Sequence, residues 1–464
     1  MPSHTRQLAE HATNLKLADV PADVVARAKS LILDGLGCGL FGARLKWTEI
    51  LAGVIRRLEP RGGHASIWGR GESASATSAA LLNGAMVQGF ELDDANPATL
   101  HSCAAVLPAV FGAAEYLGAN KVIGETLLTA IIAGFEVGPR VGLCVNGNRL
   151  LVNGWHTPGI FAPFPAAISA GRVLGLNSEQ AYHALGIAGP QAAGIMAVQF
   201  GSMVKRMLVG KGAQSGLYAA LLAADGYTGI EDVFEEKYGG YCTTYTQSAD
   251  QFDLAALTDG FGERWETMRI AVKRHACVGT NLSTLDALEE LVAETGLKAA
   301  DVDEIIVAAT ESAVSHSYWT PYVPVDLTAA QMHMGFCVAT MLIDGEVFVD
   351  QMVESNIGRP DLVDLANRVT MIRDHEREQK GRPLARGAEV TVKLKNGKTL
   401  KKTVDYFLGS YLRPMSDAQM AAKYRRLALR TLPADKVAEI EDIVWNLERA
   451  PDMTKLVAAL QGTR

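Results

Sequence analysis

Cysteine is scarce and solitary in this chain. Six occur in 464 residues, at positions 38, 103, 144, 242, 277 and 337, with no CxxC pair among them. That spacing excludes a zinc knuckle or a dense disulfide scaffold and predicts reduced, mostly packed thiols of a cytoplasmic protein. No uninterrupted apolar run reaches the eighteen or so residues a membrane helix needs. The opening "MPSHTRQLAEHATNLKLADVP" lacks the charged-then-apolar layout of a secretory signal. Positive charge is also in deficit: 44 Lys and Arg stand against 51 Asp and Glu, a net −7 with no basic stripe, so nucleic acid is excluded as a partner. There is no HExxH and no close pair of histidines. "GCGLFG" (37–42) matches GxGxxG but lies within a helical pattern rather than after a strand, which reads as close helix packing. "LVGKG" lacks both the first glycine and the Ser or Thr of a phosphate loop.

What is abundant is alanine and glycine, in long apolar stretches. With 48% hydrophobic residues the chain can bury a large core, and its length suggests two domains. Helical spacing runs from Leu8 to about Gly260, with Pro21 near one helix start and Asn177 as a cap for another. Near Arg269 the pattern changes. "MRIAVKRHACVG" is β-like, "NLSTLDALEELVAETG" a helix, "VDEIIVAAT" a strand, "AAQMHMGFCVATMLIDG" a helix, and "AEVTVKLKNGKTLKKTVDY" a hairpin turning at Asn396-Gly397 as type I′. From Ser416 helices resume. The expected fold is mainly α: an all-helical domain from residues 1–267 and 410–464, with a smaller α+β lid domain, 268–409, inserted into it.

Four segments carry residues able to do chemistry. "FELDDANPATLH" holds Glu91, Asp93, Asp94, Thr99 and His101 at the start of an apolar helix. "NGWHTPG" holds His156. "GSMVKRMLVGKGAQSG" holds Lys205 and Arg206. "AVKRHACVG" holds Lys273, Arg274 and His275. Each has a plain structural reading: an acidic pair before a helix caps it, a histidine beside a tryptophan packs, and a Lys-Arg pair is solvated. Asp93, Asp94 and His101 are metal ligands by type, but they are isolated and no metal is expected. Together, two histidines and two Lys-Arg pairs can hold a di- or tricarboxylate and move a proton beside a carboxylate without a cofactor. The carboxylates would orient the imidazoles or lysines, as a triad carboxylate does.

These blocks, with "AAQMHMGFCVATMLIDGEV" and "MSDAQMAAKYRRLA", resemble the MmgE/PrpD family of 2-methylcitrate dehydratases, cis-aconitate decarboxylases and iminodisuccinate epimerases, over nearly the whole chain. The resemblance implies the helical domain with its α+β lid, a homodimer, and a cleft between core and lid. It gives His101, His156, Lys205 and Lys273 as catalytic residues. Glu91, Asp93, Asp94, Thr99, Arg206, Arg274 and His275 are expected to bind substrate. Phe336 stands where dehydratase and decarboxylase members carry a tyrosine, and Cys277 and Val278 where decarboxylases carry a histidine, with His275 or His333 as candidates to compensate. The leading expectation is a cofactor-independent hydro-lyase of the 2-methylcitrate dehydratase type. The rivals are an epimerase, a decarboxylase, and a non-catalytic carboxylate-binding protein on the same scaffold.

Overall fold

The computed structural model describes residues 2–379 and 387–462. It is mainly helical, with two short two-stranded ribbons and one four-stranded sheet among the described residues. Helix Gly124–Cys144 has the length and apolarity to cross a bilayer, yet the chain packs round it, and its buried Glu136 accepts N–H groups from Glu266 and Thr267 at 3.0 and 2.8 Å. Helices Ser102–Leu117, Pro163–Leu174 and Leu208–Ala224 pack with it or with one another in a layered core of Ala, Leu and Val.

Small residues set the spacing of these layers. Helices Ala76–Val87 and Leu208–Ala224 cross at Gly84 and Gly210. A Cβ on Gly84 would lie 2.5 Å from the Gly210 Cα, and one on Gly210 would lie 2.3 Å from the Leu81 carbonyl oxygen, so no side chain fits. The GxGxxG-like stretch is a packing face as expected: it lies in helix Ala22–Gly42, and a Cβ on Gly42 would strike the Met86 carbonyl at 2.2 Å.

Caps follow the sequence. Pro21 precedes helix Ala22–Gly42, and Asn177 caps helix Ser178–Ala188 through a reciprocal capping box with Gln180. After residue 268 the β-like segment forms only two strand residues, Ala271–Val272, paired antiparallel with Asp94–Ala95. Strand Val302–Ala309 runs parallel to Val369–Arg373 and antiparallel to Ala388–Leu394, which pairs with Thr399–Val404. The hairpin is as read but its turn is not type I′. Only Gly397, φ +85°, is left-handed, and Leu394 N–H closes a longer loop on the Lys398 carbonyl at 2.8 Å. The helix expected across 329–345 breaks at His333 into Leu327–Met332 and Met334–Asp344, because the His333 Nδ1 accepts the Phe336 N–H at 3.1 Å and caps the second. The returning helix Asp417–Ala428 packs on Ala22–Gly42, and Lys423 reaches Asp34 at 2.6 Å and the Leu92 carbonyl at 2.6 Å.

Candidate functional site

Local structure places the four segments in one spot. The chain leaves helix Ala76–Val87 through a 3-10 turn, and Glu91 takes a left-handed φ of 56° that aims the following acidic residues back across the helix layer. In the ribbon, Asp94 faces Val272 and Ala95 faces Ala271. Extending that antiparallel register by one residue sets Asp93 opposite Lys273. The Lys273 Nζ lies 3.7 Å from Asp93 Oδ1 and 3.4 Å from Glu91 Oε2. The 3-10 turn Met203–Met207 delivers Lys205, whose Nζ donates to Glu91 Oε1, and Arg206, whose Nη1 donates to the same oxygen at 3.0 Å. Three cations thus surround one carboxylate, with Glu91, Lys205, Arg206 and Lys273 all 3% exposed or less.

The electrostatics follow from that crowding. Burial alone would raise the Glu91 carboxyl, but Lys205, Lys273 and Arg206 hold it well below the usual carboxylate range. Burial likewise opposes the Asp93 charge, and His101 and Lys273 outweigh it, so Asp93 also lies low. The two lysines diverge. Burial lowers Lys205 despite Glu91, whereas Glu91 and Asp93 together overcome burial and raise Lys273.

The histidines are held in defined tautomers. His101 stands at the N-cap of helix Ser102–Leu117, with Nδ1 2.9 Å from the Asp94 carbonyl and 3.0 Å from Asp93 Oδ2. Two acceptors at Nδ1 place the hydrogen there and leave Nε2 for a ligand. His156 caps the turn Thr157–Phe161, and its Nδ1 accepts the Gly159 N–H at 3.3 Å, so the neutral ring carries its hydrogen on Nε2. Burial, reinforced by Lys205, holds its conjugate acid well below the ordinary histidine range.

Glu91, Thr99, His101, His156, Lys205 and Lys273 line one cavity of about 520 Å³, a size suited to a small ligand. The Thr99 hydroxyl lies 2.8 Å from that of Thr157 on its wall. A second cavity of about 460 Å³, lined by Cys144, Arg269, Phe407 and Tyr411 among others, has neither lysine nor imidazole, and Arg269 is paired with Glu266. The lysines and imidazoles expected to be catalytic gather in the first.

Five of the expected ligand-contacting residues are placed elsewhere. Asp94 accepts the Ser102 and Cys103 N–H groups at 2.7 and 2.8 Å, the plain capping role; burial and the neighbouring Asp93 push its carboxyl up to about 6. Asp93 stands behind His101. Arg206 lies behind Glu91 and ties it to Thr328 and Gln331, at 3.1 and 2.7 Å. Arg274 turns out to Asp286 and Glu289, and His275 lies 3.5 Å from Asp286. Residues leaving a strand alternate sides, so Lys273 faces in and Arg274 out. Asp94 being spent on a helix, the Asp93, Asp94 and His101 donors do not converge as a ligand set.

Of the departures from the family pattern, Phe336 and Cys277 are off the cavity, whereas Val278 lines it. Phe336 is fully buried and stacks on Tyr322 at 5.3 Å; Cys277 is fully buried. Neither His275 nor His333 compensates, since the His333 ring bonds the Trp319 carbonyl at 2.8 Å and the Phe336 N–H. The third imidazole in the cavity is His316, on helix Glu311–Ser317, which no motif had singled out. Its one sequence signal is position: it follows the C-terminal end of strand Val302–Ala309, where site-forming segments of strand-and-helix proteins collect.

Residues 6–253 match the MmgE/PrpD N-terminal domain, and 275–449 match the MmgE/PrpD C-terminal domain. The cis-aconitate decarboxylase-like protein oryM of Aspergillus oryzae is 36% identical over 99% of this chain and 97% of its own. A cis-aconitate decarboxylase of Aspergillus terreus is 35% identical over 98% and 95%, and that of Homo sapiens 28% identical over 100% and 95%. The chain belongs to the MmgE/PrpD family.

Proposed function

We propose that this protein is a cofactor-independent lyase that decarboxylates cis-aconitate. The observation that carries the proposal is the single cavity in which two ammonium groups and two oriented imidazoles face each other. The full-length likeness to proteins named as cis-aconitate decarboxylases supports this choice over the 2-methylcitrate dehydratase reading that the family resemblance first suggested. Phe336 and Cys277 do not weigh against it, because both lie off the cavity; Val278 on its wall is apolar where decarboxylases carry a histidine, and His101 is left to supply the proton.

The substrate has a double bond between a carboxylate-bearing carbon and a CH–carboxylate, plus a saturated CH2–carboxylate arm. When the arm's carboxylate leaves as CO2, the freed electron pair forms a new double bond to the CH2 carbon. The old double bond's pair moves on to the CH carbon, as a dienolate shared with its carboxylate. One proton added at that carbon gives methylenesuccinate, so trianion plus proton becomes dianion plus CO2. Lys205 and Lys273 stabilise the dienolate where water is excluded. His101 first takes a proton from water at Nε2 and delivers it from there, returning to the Nδ1–H tautomer that Asp93 and the Asp94 carbonyl hold. His156 donates from Nε2 to a spectator carboxylate, and Thr99, its hydroxyl hydrogen spent on Ala98 and Thr157, shapes the wall beside it. Asp93, Asp94, Arg206 and Glu91 position these groups.

The same reading takes the protein as a cytoplasmic homodimer in which 268–409 closes over the cavity as a lid. Light scattering of the purified protein tests the dimer. NMR in D2O tests the activity, with cis-aconitate, 2-methylcitrate, citrate and iminodisuccinate in separate tubes. Methylenesuccinate carrying one deuterium on its saturated CH2 is expected from the first. An alkene from a hydroxy acid alone would replace decarboxylation by elimination, and C–H exchange without net product in the last would replace it by epimerisation.

A further inference from the structure

We propose that His316 is a substrate-contacting residue, donating a hydrogen bond to a carboxylate of the bound acid beside Lys205. The inference rests on the tricarboxylate reading above and adds a ligand to it. His316 lines the cavity from the wall formed by Thr310–His316, a different segment from those that carry the other site residues. Lys205 and Glu91 both act on its ring, and His316 in turn acts on His156, which places it at the Lys205 end of the cavity.

Its hydrogen bonding sets it apart. His101 and His156 each have Nδ1 fixed by the protein, leaving one nitrogen for a ligand. Among the described residues the His316 ring makes no hydrogen bond, so neither nitrogen is committed to a protein partner. No carboxylate of the protein is left to serve it. Glu91 is already shared by three cations, and Glu311 and Glu378 at the same rim pair with Arg373 at 3.1 and 2.8 Å. Burial, with Lys205 adding to it, lowers the His316 conjugate acid to about 4, so the ring is neutral in the empty cavity. A neutral imidazole still donates one N–H, and it adds no third charge to compete with the two lysines. Three carboxylates need more donors than two lysines supply, and His316 provides one where the protein offers it no other partner.

The test compares wild type, His316→Phe and His316→Asn. KM and kcat for cis-aconitate are measured alongside the Kd of tricarballylate, a saturated tricarboxylate, by calorimetry. His316→Phe is expected to raise KM and Kd tenfold or more while kcat falls less than fivefold. His316→Asn, which keeps an N–H donor, is expected to recover at least threefold of that loss. A change below threefold in His316→Phe would overturn the proposal, since the ring without its N–H would then suffice; so would equal losses in both variants, since restoring an N–H donor would then recover nothing. The calorimetric arm separates the two readings. If wild type binds tricarballylate but does not turn over cis-aconitate, the decarboxylase assignment fails while the His316 contact is still measured. If wild type binds no tricarboxylate, both fall.

Discussion

Replacing Glu91 by Gln tests whether the cation cluster is held by one buried charge. The substitution keeps side-chain shape and the left-handed backbone at φ 56°, but turns an acceptor shared by Lys205, Arg206 and Lys273 into an amide. Whichever way the amide is turned, an NH2 faces at least one cation. Breaking a buried ion pair by removing one partner costs about 3–5 kcal/mol. Here Lys205, whose proton is already loosened by burial, can relieve the repulsion by losing it, which points to the lower end, about 3 kcal/mol. The pH dependence follows from the direction of the shift. The folded Glu91 carboxyl lies well below its unfolded value, so its contribution is fully present above about pH 4.3 and is lost only as pH falls through the lower, folded value. The wild-type advantage in denaturant unfolding, followed by tryptophan fluorescence, should therefore be at least as large at pH 5.5 as at pH 7.5, because Glu91 stays charged while losing the Lys205 proton costs the variant more as pH falls. A variant within 1 kcal/mol of wild type at pH 7.5 would refute the reasoning about the cluster. An advantage that has vanished by pH 5.5 would refute the direction assigned to Glu91.

Three further outcomes are expected. Asp93→Asn, which removes the carboxylate 3.0 Å from His101 Nδ1, should lower kcat by about 10²–10⁴ with little change in KM or in the circular dichroism spectrum. Arg274→Gln and His275→Gln, both off the cavity, should leave kcat and KM within about twofold of wild type, because Arg274 spends its guanidinium on Asp286 and Glu289. Phe336→Tyr should not raise activity and should lower denaturant stability by about 1–3 kcal/mol, since the added hydroxyl enters a fully buried aromatic stack.

Residues whose role is set by local backbone were legible in the sequence. Asn177, Pro21 and the strand at Val302–Ala309 announce themselves through capping chemistry and alternation, and the lysines and histidines of the four segments do so through residue type. Side-chain direction was not legible. Lys273 and Arg274 are neighbours of like charge, and only the two-residue ribbon with Asp94–Ala95 decides which faces the cavity. Asp93 and Asp94 are separated in the same way, one behind His101 and the other on the N–H groups of a helix. His316 had no signal beyond its place after strand Val302–Ala309, because its neighbours Lys205 and Glu91 are more than a hundred residues away in sequence.

The Gly84–Gly210 crossing has a consequence for redesign of this enzyme. Glu91 lies just beyond the end of one crossing helix, and Lys205 lies just before the start of the other. Their separation is thus gauged by two backbones in direct contact, with no side chain between them to be trimmed or enlarged. The Glu91–Lys205 spacing cannot be changed by small steps, since even one methyl group at the crossing would shift anion and cation apart. A library aimed at longer or shorter acids should leave both helices untouched and vary the wall from Thr310 to Ser315, where side chains rather than main chains set the dimensions.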